Sequence, residues 1–206
     1  MKKKNSNALL MVFMKNPIAG KVKTRLAIDI GKEEALNIYL RLIEYTQFVT
    51  SKIQTCDKAI YYSSSVEEHD QWNSDTYNKY QQKGKGLGEK LSNAFADAFN
   101  QGYEKVIAIG TDSFEITGNI IDKAFRSLQD SEIVIGPAKD GGYYLIGMNE
   151  HKPEIFNGIE WGTDKVLSAT LSIIRSINYR HALLKELSDI DTMEDYEKYK
   201  IIQNVS

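Results

Sequence analysis

The amino-acid sequence predicts an α/β fold: a mostly parallel sheet with helices on both faces. Short apolar runs of strand length recur along the chain. Amphipathic segments of helical period separate them, and glycine- or acid-bearing loops close most of the runs. Several runs are apolar throughout rather than alternating. That is the pattern of strands buried on both faces, as in a parallel sheet between two helical layers.

Residues 7–13 form the first such run, and Lys15-Asn16-Pro17-Ile18-Ala19-Gly20 turns the chain after it. The spacing of Leu36, Tyr39, Leu40, Ile43 and Phe48 predicts a helix over 32–53. A strand is expected at 58–62, then a polar, irregular stretch at 63–75 with room for a short helix, then a strand at 76–81. Residues 87–101 give the clearest helix, with Leu91, Ala94, Phe95, Ala98 and Phe99 at three- and four-residue intervals. A strand at 105–109 stops at Gly110. The helix expected at 120–128 carries Ile120, Ile121, Ala124, Phe125 and Leu128 on one face. Strands at 132–135 and 143–147, a helix at 163–174, a strand at 181–184 and a terminal helix at 192–202 complete the pattern. No internal repeat, low-complexity segment or linker interrupts it, so one domain over 1–206 is expected.

Composition narrows the function. The chain has 206 residues, 42% hydrophobic and 26% charged, with net charge −2. That balance argues against a general nucleic-acid binder. The basic start, Lys2 to Lys4, reads as a short solvated tail. No apolar run is long enough to span a bilayer, and residues 8–13 are too short for a signal-peptide core, so a cytoplasmic location is expected. The single cysteine, Cys56, excludes an internal disulfide, and His69, His151 and His181 lack zinc-ligand spacing.

In open α/β sheets, ligands bind at the carboxyl ends of the strands. This rule singles out the loops at 15–25, 82–89, 110–117 and 136–142. The first carries Lys15, Gly20, Lys21, Lys23 and Arg25, suited to phosphate or to a solvated basic loop; it is not a Walker A sequence. The second brings Gly84, Gly86 and Gly88 to the start of the strongest helix. That arrangement suits an anionic ligand or a flexible turn, but Glu89 replaces the third glycine of a dinucleotide fingerprint.

The third loop places Asp112 straight after a strand, either as a ligand for Mg2+ or Mn2+ on phosphates or as a turn former, with Ser113 as a cap. The fourth holds Asp140-Gly141-Gly142. These residues leave room for sugar hydroxyls and a base at Asp140, or simply form a hairpin turn. Near the C-terminus, Asp189 or Asp191 can supply a second metal carboxylate, while Asp191 and Glu194 have the spacing of a helix cap. Trp161 suits stacking on a sugar ring or burial in the core.

The ordered set of these motifs resembles a known family. It runs from Lys15-Asn16-Pro17 and Gly20–Ala27 through Leu87-Gly88-Glu89-Lys90 and Gly110-Thr111-Asp112-Ser113. It continues through Gly136–Gly147 and Trp161-Gly162-Thr163 to Asp189–Asp195. The chain is similar to bacterial glycosyltransferase-A-like proteins of the nucleotide-diphospho-sugar transferase fold, often linked to arsenosugar biosynthesis. It more distantly resembles phospholactate guanylyltransferase and the molybdenum-cofactor nucleotidyltransferases. The resemblance implies a Rossmann-like three-layer sandwich, a nucleotide and phosphates on the first loop, Asp112 as metal ligand and Asp191 as the second. Phe114, Gly86, Lys90, Met193 and Gly162 depart from the family's usual residues.

The function expected is metal-dependent glycosyl transfer from a nucleotide sugar to a small-molecule acceptor, with Asp140 orienting the sugar or activating the acceptor. One alternative is nucleotidyl transfer from a nucleoside triphosphate to a phosphorylated small molecule, with release of pyrophosphate. A second is a nucleotide-binding regulator without turnover. The oligomeric state is not encoded in these motifs. No Gly-x-Ser-x-Gly elbow is present, which argues against a serine hydrolase of that type.

Overall fold

A computed structural model describes residues 5–205, with side chains described as far as Tyr199; the basic start lies outside the described residues. Its centre is a seven-stranded sheet of order β3-β2-β1-β4-β6-β5-β7. In chain order the strands are β1 (Ala8–Met14), β2 (Asp57–Tyr62), β3 (Tyr77–Gln81), β4 (Lys105–Ile109), β5 (Ile133–Pro137), β6 (Tyr143–Met148) and β7 (His181–Leu183). All pairings are parallel except those of β6, which runs antiparallel to both β4 and β5. The sheet is thus mostly parallel, as the sequence predicts, and the Asp-Gly signal after β5 marks a true antiparallel hairpin.

The helices are α1 (Leu26–Ile30), α2 (Lys32–Ser51), α3 (Leu87–Asn100), α4 (Gly118–Ser127), α5 (Val166–Ser176) and α6 (Met193–Val205). Burial in β1 explains their division between two layers. Leu10, Val12 and Met14 pack with residues of α1, α2, α4 and α6, while Leu9, Met11 and Phe13 pack with α3, α5 and the 3-10 turn Pro153–Phe156. Successive side chains of a strand point to opposite faces. A strand buried on both faces must therefore be apolar throughout, which is why β1 reads as an unbroken run.

Three local differences have physical causes. The stretch 63–75 contains no helix. Asp70 and Asn73 bend it by accepting backbone N–H bonds from Trp72 (3.0 Å) and Asp75 (2.7 Å). The helix expected from 163 begins only at Val166, because Thr163 is engaged in a turn and donates to the Glu160 carbonyl at 2.9 Å. α1 is too short to show a helical period in sequence. It is separated from α2 by Gly31, whose φ of +82° interrupts the helix without a Cβ penalty.

The topology also locates the site. From β1 the sheet grows one way through β2 and β3; the chain then returns to add β4 on the other side of β1. A crevice opens at such a switch point, between the carboxyl ends of β1 and β4. The loops at 15–25 and 110–117 both emerge there.

Candidate active site

The loop after β1 buries a lysine rather than solvating it. Lys23 has a side chain only 3% exposed, and it adopts φ +46°, which residues other than glycine rarely take. Its ammonium donates to Asp112 in the loop after β4 and, at 3.0 Å, to Asp191 before α6. Burial alone would lower the Lys23 pKa. Attraction to Asp112 and Asp191 outweighs it and raises the pKa above the usual lysine range. The Asp112 side chain is 46% exposed; surrounding protein still favours its neutral form, yet Lys23 holds its carboxyl below the ordinary value.

The rest of the chain fixes this triad. Tyr39 of α2 sits under both loops, accepting from Lys15 N–H at 2.9 Å and lying 3.2 Å from the Thr111 hydroxyl. Burial, and then the Asp112 charge, push this phenol up to about 12, so it stays a neutral hydrogen-bonding group. The segment before α6 docks onto β4 and β5. Ile190 N–H donates to the Asp112 carbonyl at 2.8 Å, Ser113 Oγ to the Ser188 carbonyl at 2.6 Å, and Leu187 N–H to the Pro137 carbonyl at 3.0 Å. Asp191 reaches the crevice by this route.

Its side chain is free for Lys23 because the helix cap falls one residue later than the sequence suggests. Thr192 and Asp195, not Asp191 and Glu194, form the reciprocal cap, with Thr192 N–H donating to Asp195 at 2.9 Å and Asp195 N–H to Thr192 Oγ1 at 3.3 Å.

Two cavities meet at this cluster. A cleft of about 490 Å3 follows the carboxyl ends of β1 and β4 and includes Lys15, Gln82, Lys90, Asp112 and Tyr143. A second cavity, of about 630 Å3, lies toward α6 and includes Arg25, Phe114, Lys139 and Tyr199. Asp140, Asp189 and Asp191 line both. Asp189 is the least satisfied of the three: its buried Oδ1 has no hydrogen-bond partner. Burial, followed by repulsion from Asp112 and Asp140, pushes its carboxyl up to about 8.

The other sequence candidates divide clearly. Lys15 is exposed on the cleft and Arg25 on the second cavity. Gly20 (φ +74°) and Lys21 shape the turn between them without lining either cavity; Lys21 N–H donates to the Ile18 carbonyl at 3.0 Å. Asp140 is exposed and makes the hairpin turn, its Oδ1 accepting from Gly142 N–H at 2.9 Å. Gly141 must be glycine: φ is +88°, and a Cβ would lie 2.1 Å from the Asp164 carbonyl oxygen.

Gly84 is exposed and Gly88 buried, and neither lines the cleft. A Cβ on Gly88 would lie 2.6 Å from Trp161 Nε1, so this glycine serves close packing. The Trp161 ring stands edge-on to Tyr143 and tilted against Phe156; it is half-buried against a core cluster and is absent from both cavity walls. Leu87 and Lys90 reach the cleft from that helix instead.

Sequence reasoning missed Tyr39, Thr111, Gln82 and Asn16. Tyr39 stood in an apolar helical stripe, where its hydroxyl was the available signal: a buried phenol requires a partner. Asn16, 6% exposed, ties the first loop to the next, donating to the Ser65 carbonyl at 2.8 Å and accepting from Ser64 N–H at 3.0 Å. Phe114, a departure from the family pattern, stacks on Tyr199 at 4.2 Å between centroids and meets Tyr45 edge-on, joining α6 to α2.

Solved structures share this architecture. A candidate nucleotide-diphospho-sugar transferase from Desulfovibrio desulfuricans G20 is 30% identical, with a TM-score of 0.88 over 98% of this chain and 90% of that one. A 4-diphosphocytidyl-2C-methyl-D-erythritol synthase from Anaerococcus prevotii DSM 20548 is 9% identical, with a TM-score of 0.60 over 97% and 100% of the two chains. A CMP:2-keto-3-deoxy-manno-octonic acid synthetase complexed with CTP is 8% identical, with a TM-score of 0.59 over 97% and 99%. At such low identity these two speak for the fold alone. No curated protein matches the chain. The fold is that of the nucleotide-diphospho-sugar transferases, and the chain belongs to the family described as "Uncharacterized protein conserved in bacteria (DUF2064)", whose profile matches residues 47–163.

Proposed function

We propose that the chain is a metal-dependent transferase that takes a nucleotide-diphospho-sugar as donor and passes the sugar to a small-molecule acceptor. One observation carries the reading: Lys23 of the phosphate-suited loop is joined to Asp112 and Asp191 at the switch point of the sheet. Donor phosphate, cation and carboxylate can therefore share one crevice.

The residues fit a hard divalent cation. Asp112 and Asp191 converge on one point, the Lys23 ammonium, and Asp189 adds an unpartnered buried carboxylate oxygen beside them. Among the described residues, no group of three or more His, Cys, Asp or Glu side chains forms a metal cluster. That is compatible with Mg2+, which usually takes one or two carboxylates and completes its shell with water and substrate phosphate. When bound, Mg2+ or Mn2+ would supply positive charge to the departing diphosphate.

The chain's own groups do the rest. Lys15, exposed on the cleft, holds the phosphates, while the buried Lys23 sets the charge of Asp112 and Asp191 behind them. Asp140, fixed by its turn, accepts the proton of the attacking acceptor hydroxyl through its remaining oxygen. The acceptor oxygen bonds to the anomeric carbon, the bond from that carbon to phosphate oxygen breaks, and the electron pair leaves on the nucleoside diphosphate.

Nucleotidyl transfer is the second reading, favoured by the fold shared with CTP-using enzymes, including the inositol-1-phosphate CTP transferase from T. maritima (14% identity, TM-score 0.52). There the acceptor oxygen attacks the α-phosphorus of a nucleoside triphosphate and pyrophosphate leaves. Incubation with manganese and a donor panel separates the two. Nucleoside diphosphate released from a nucleotide sugar supports glycosyl transfer, and pyrophosphate from a triphosphate supports the second reading. Consumption of neither sinks both.

A further inference from the structure

The charge of the cavity beside α6 bears on what the acceptor is. This cavity shares Asp140, Asp189 and Asp191 with the cleft, so a molecule in it would meet a ligand of the cleft at those residues. Among the described residues six acidic side chains line it: Glu115, Asp140, Asp189, Asp191, Glu194 and Asp195; burial holds Asp189 neutral, and Asp191 shares the Lys23 ammonium with Asp112. Against them stand Arg25, Lys139 and Lys198, and Lys198 is already paired with Glu194 at 2.7 Å. The remaining wall includes the stacked rings of Phe114 and Tyr199.

From this wall we infer that the cavity of about 630 Å3 is the acceptor subsite and that it takes a neutral or amine-bearing polyhydroxyl compound with an apolar face, not a phosphate ester or carboxylate. This inference rests on the transferase reading and specifies its second substrate. The argument is electrostatic. An acceptor phosphate would sit against the carboxylate-rich wall and beside the donor's own phosphates. Like charges brought together without screening disfavour binding, while a hydroxyl or ammonium group finds acceptors on every side. The ring pair offers the apolar surface on which the C–H face of a sugar or cyclic polyol can lie.

The inference also separates the two readings. Glu115, Asp140 and Asp195 outnumber the unpaired cations Arg25 and Lys139 on the described wall, and the donor adds its own negative charge, which suits a hydroxyl nucleophile on a neutral molecule better than a phosphorylated one.

The test uses matched pairs of probes on the full chain, with Mg2+ and a nucleoside diphosphate present. Methyl glucoside, glycerol and ethanolamine are compared with glucose 6-phosphate, glycerol 3-phosphate and phosphoethanolamine. Binding is read from the ring signals of Tyr199 and Phe114 in isotope-labelled protein, assigned with the Tyr199→Phe variant. Within each pair the unphosphorylated member is expected to bind at least tenfold more tightly, about 1.4 kcal/mol. Glu194→Lys should strengthen binding of the phosphorylated members at least tenfold.

Equal or tighter binding of the phosphorylated members to the unaltered protein overturns the inference. So does a Tyr199 signal that no probe moves, or a Glu194→Lys variant that binds phosphates no better. The transferase reading fails separately, by lack of donor consumption, whichever way the probes bind.

Discussion

Replacing Lys23 with methionine tests the charge cluster at its centre. Methionine retains most of the apolar stem and the same left-handed backbone, so the change removes mainly the charge. In the native protein the ammonium, with its side chain 3% exposed, is shared by Asp112 and Asp191 and offsets half of their charge. Breaking a fully buried pair by removing one partner costs about 3–5 kcal/mol. Here the two carboxylates have side chains 46% and 37% exposed, so water screens them and a loss of about 1–3 kcal/mol is expected. For a chain of this size, 1 kcal/mol corresponds to about 2–4 °C, which gives a melting temperature lower by roughly 2–12 °C in EDTA.

The sign then reverses with metal. In the native protein a divalent ion must compete with the ammonium for the same two carboxylates; in the variant it does not. Manganese at saturating concentration should therefore raise the melting temperature of the variant more than that of the native protein, by mass action on the folded state. Affinity for nucleoside diphosphate without metal should fall at the same time, because the crevice loses a positive charge. Differential scanning fluorimetry across EDTA, EDTA with nucleotide and manganese reads all three effects. A variant as stable as the native protein in EDTA, or one to which manganese gives no extra stability, would refute the electrostatic account of this site.

Other substitutions test the surroundings. Tyr39→Phe removes the hydroxyl that meets both Lys15 and Thr111 and should cost about 1–3 kcal/mol in denaturant unfolding, with weaker nucleotide binding. Gly88→Ala pushes a methyl group into the Trp161 indole; a loss of about 1–3 kcal/mol from overpacking is expected, with a change in tryptophan emission. Cys56 is 7% exposed, and burial pushes its thiol up to about 12. It should resist an aromatic disulfide reagent in the native state and react as one thiol per chain after unfolding.

Much of this architecture could be read from sequence because burial on both faces leaves a direct mark. The apolar runs of β1, β4 and β5 and the helical stripe of α3 fell close to their observed bounds. Strand direction leaves no such mark: residues 143–148 are apolar whichever way they run, and only Asp140-Gly141 signalled that β6 turns back. The site was legible as loops and residue types but not as contacts. Lys23 lies among other basic residues in sequence, and nothing local distinguishes the one that is buried from Lys21, which is exposed. Gly88 looked like a ligand glycine because its cause, Trp161, lies far along the chain. The α6 cap was misplaced by one residue because both Asp191–Glu194 and Thr192–Asp195 have the required spacing, and only the docking of residues 187–190 decides between them.

That docking also explains how distant parts of the chain come to share one charge cluster. Lys23 and Asp112 meet because β1 and β4 are adjacent in the sheet, a consequence of topology alone. Asp191 has no strand to place it and depends on polar contacts that hold its segment in extended form. Ser113 illustrates the economy: its hydroxyl donates to the Ser188 carbonyl and accepts from Glu115 N–H, while the Glu115 carboxylate accepts from Ser188 N–H. Buried polar links of this kind contribute little net stability when complete and cost more when one member is lost. They fix position rather than supply driving force. The apolar anchors Leu187 and Ile190, 1% and 3% exposed, supply that force, and anchors and polar links together set the register in which Asp191 faces Lys23. A shift of that segment by one residue would turn Ile190 or Thr192 toward the ammonium and put Glu186 and Asp189, or Ser188 and Asp191, in the places of the two anchors. The geometry of the charge cluster is thus specified largely by apolar anchors and hydrogen bonds of residues outside it.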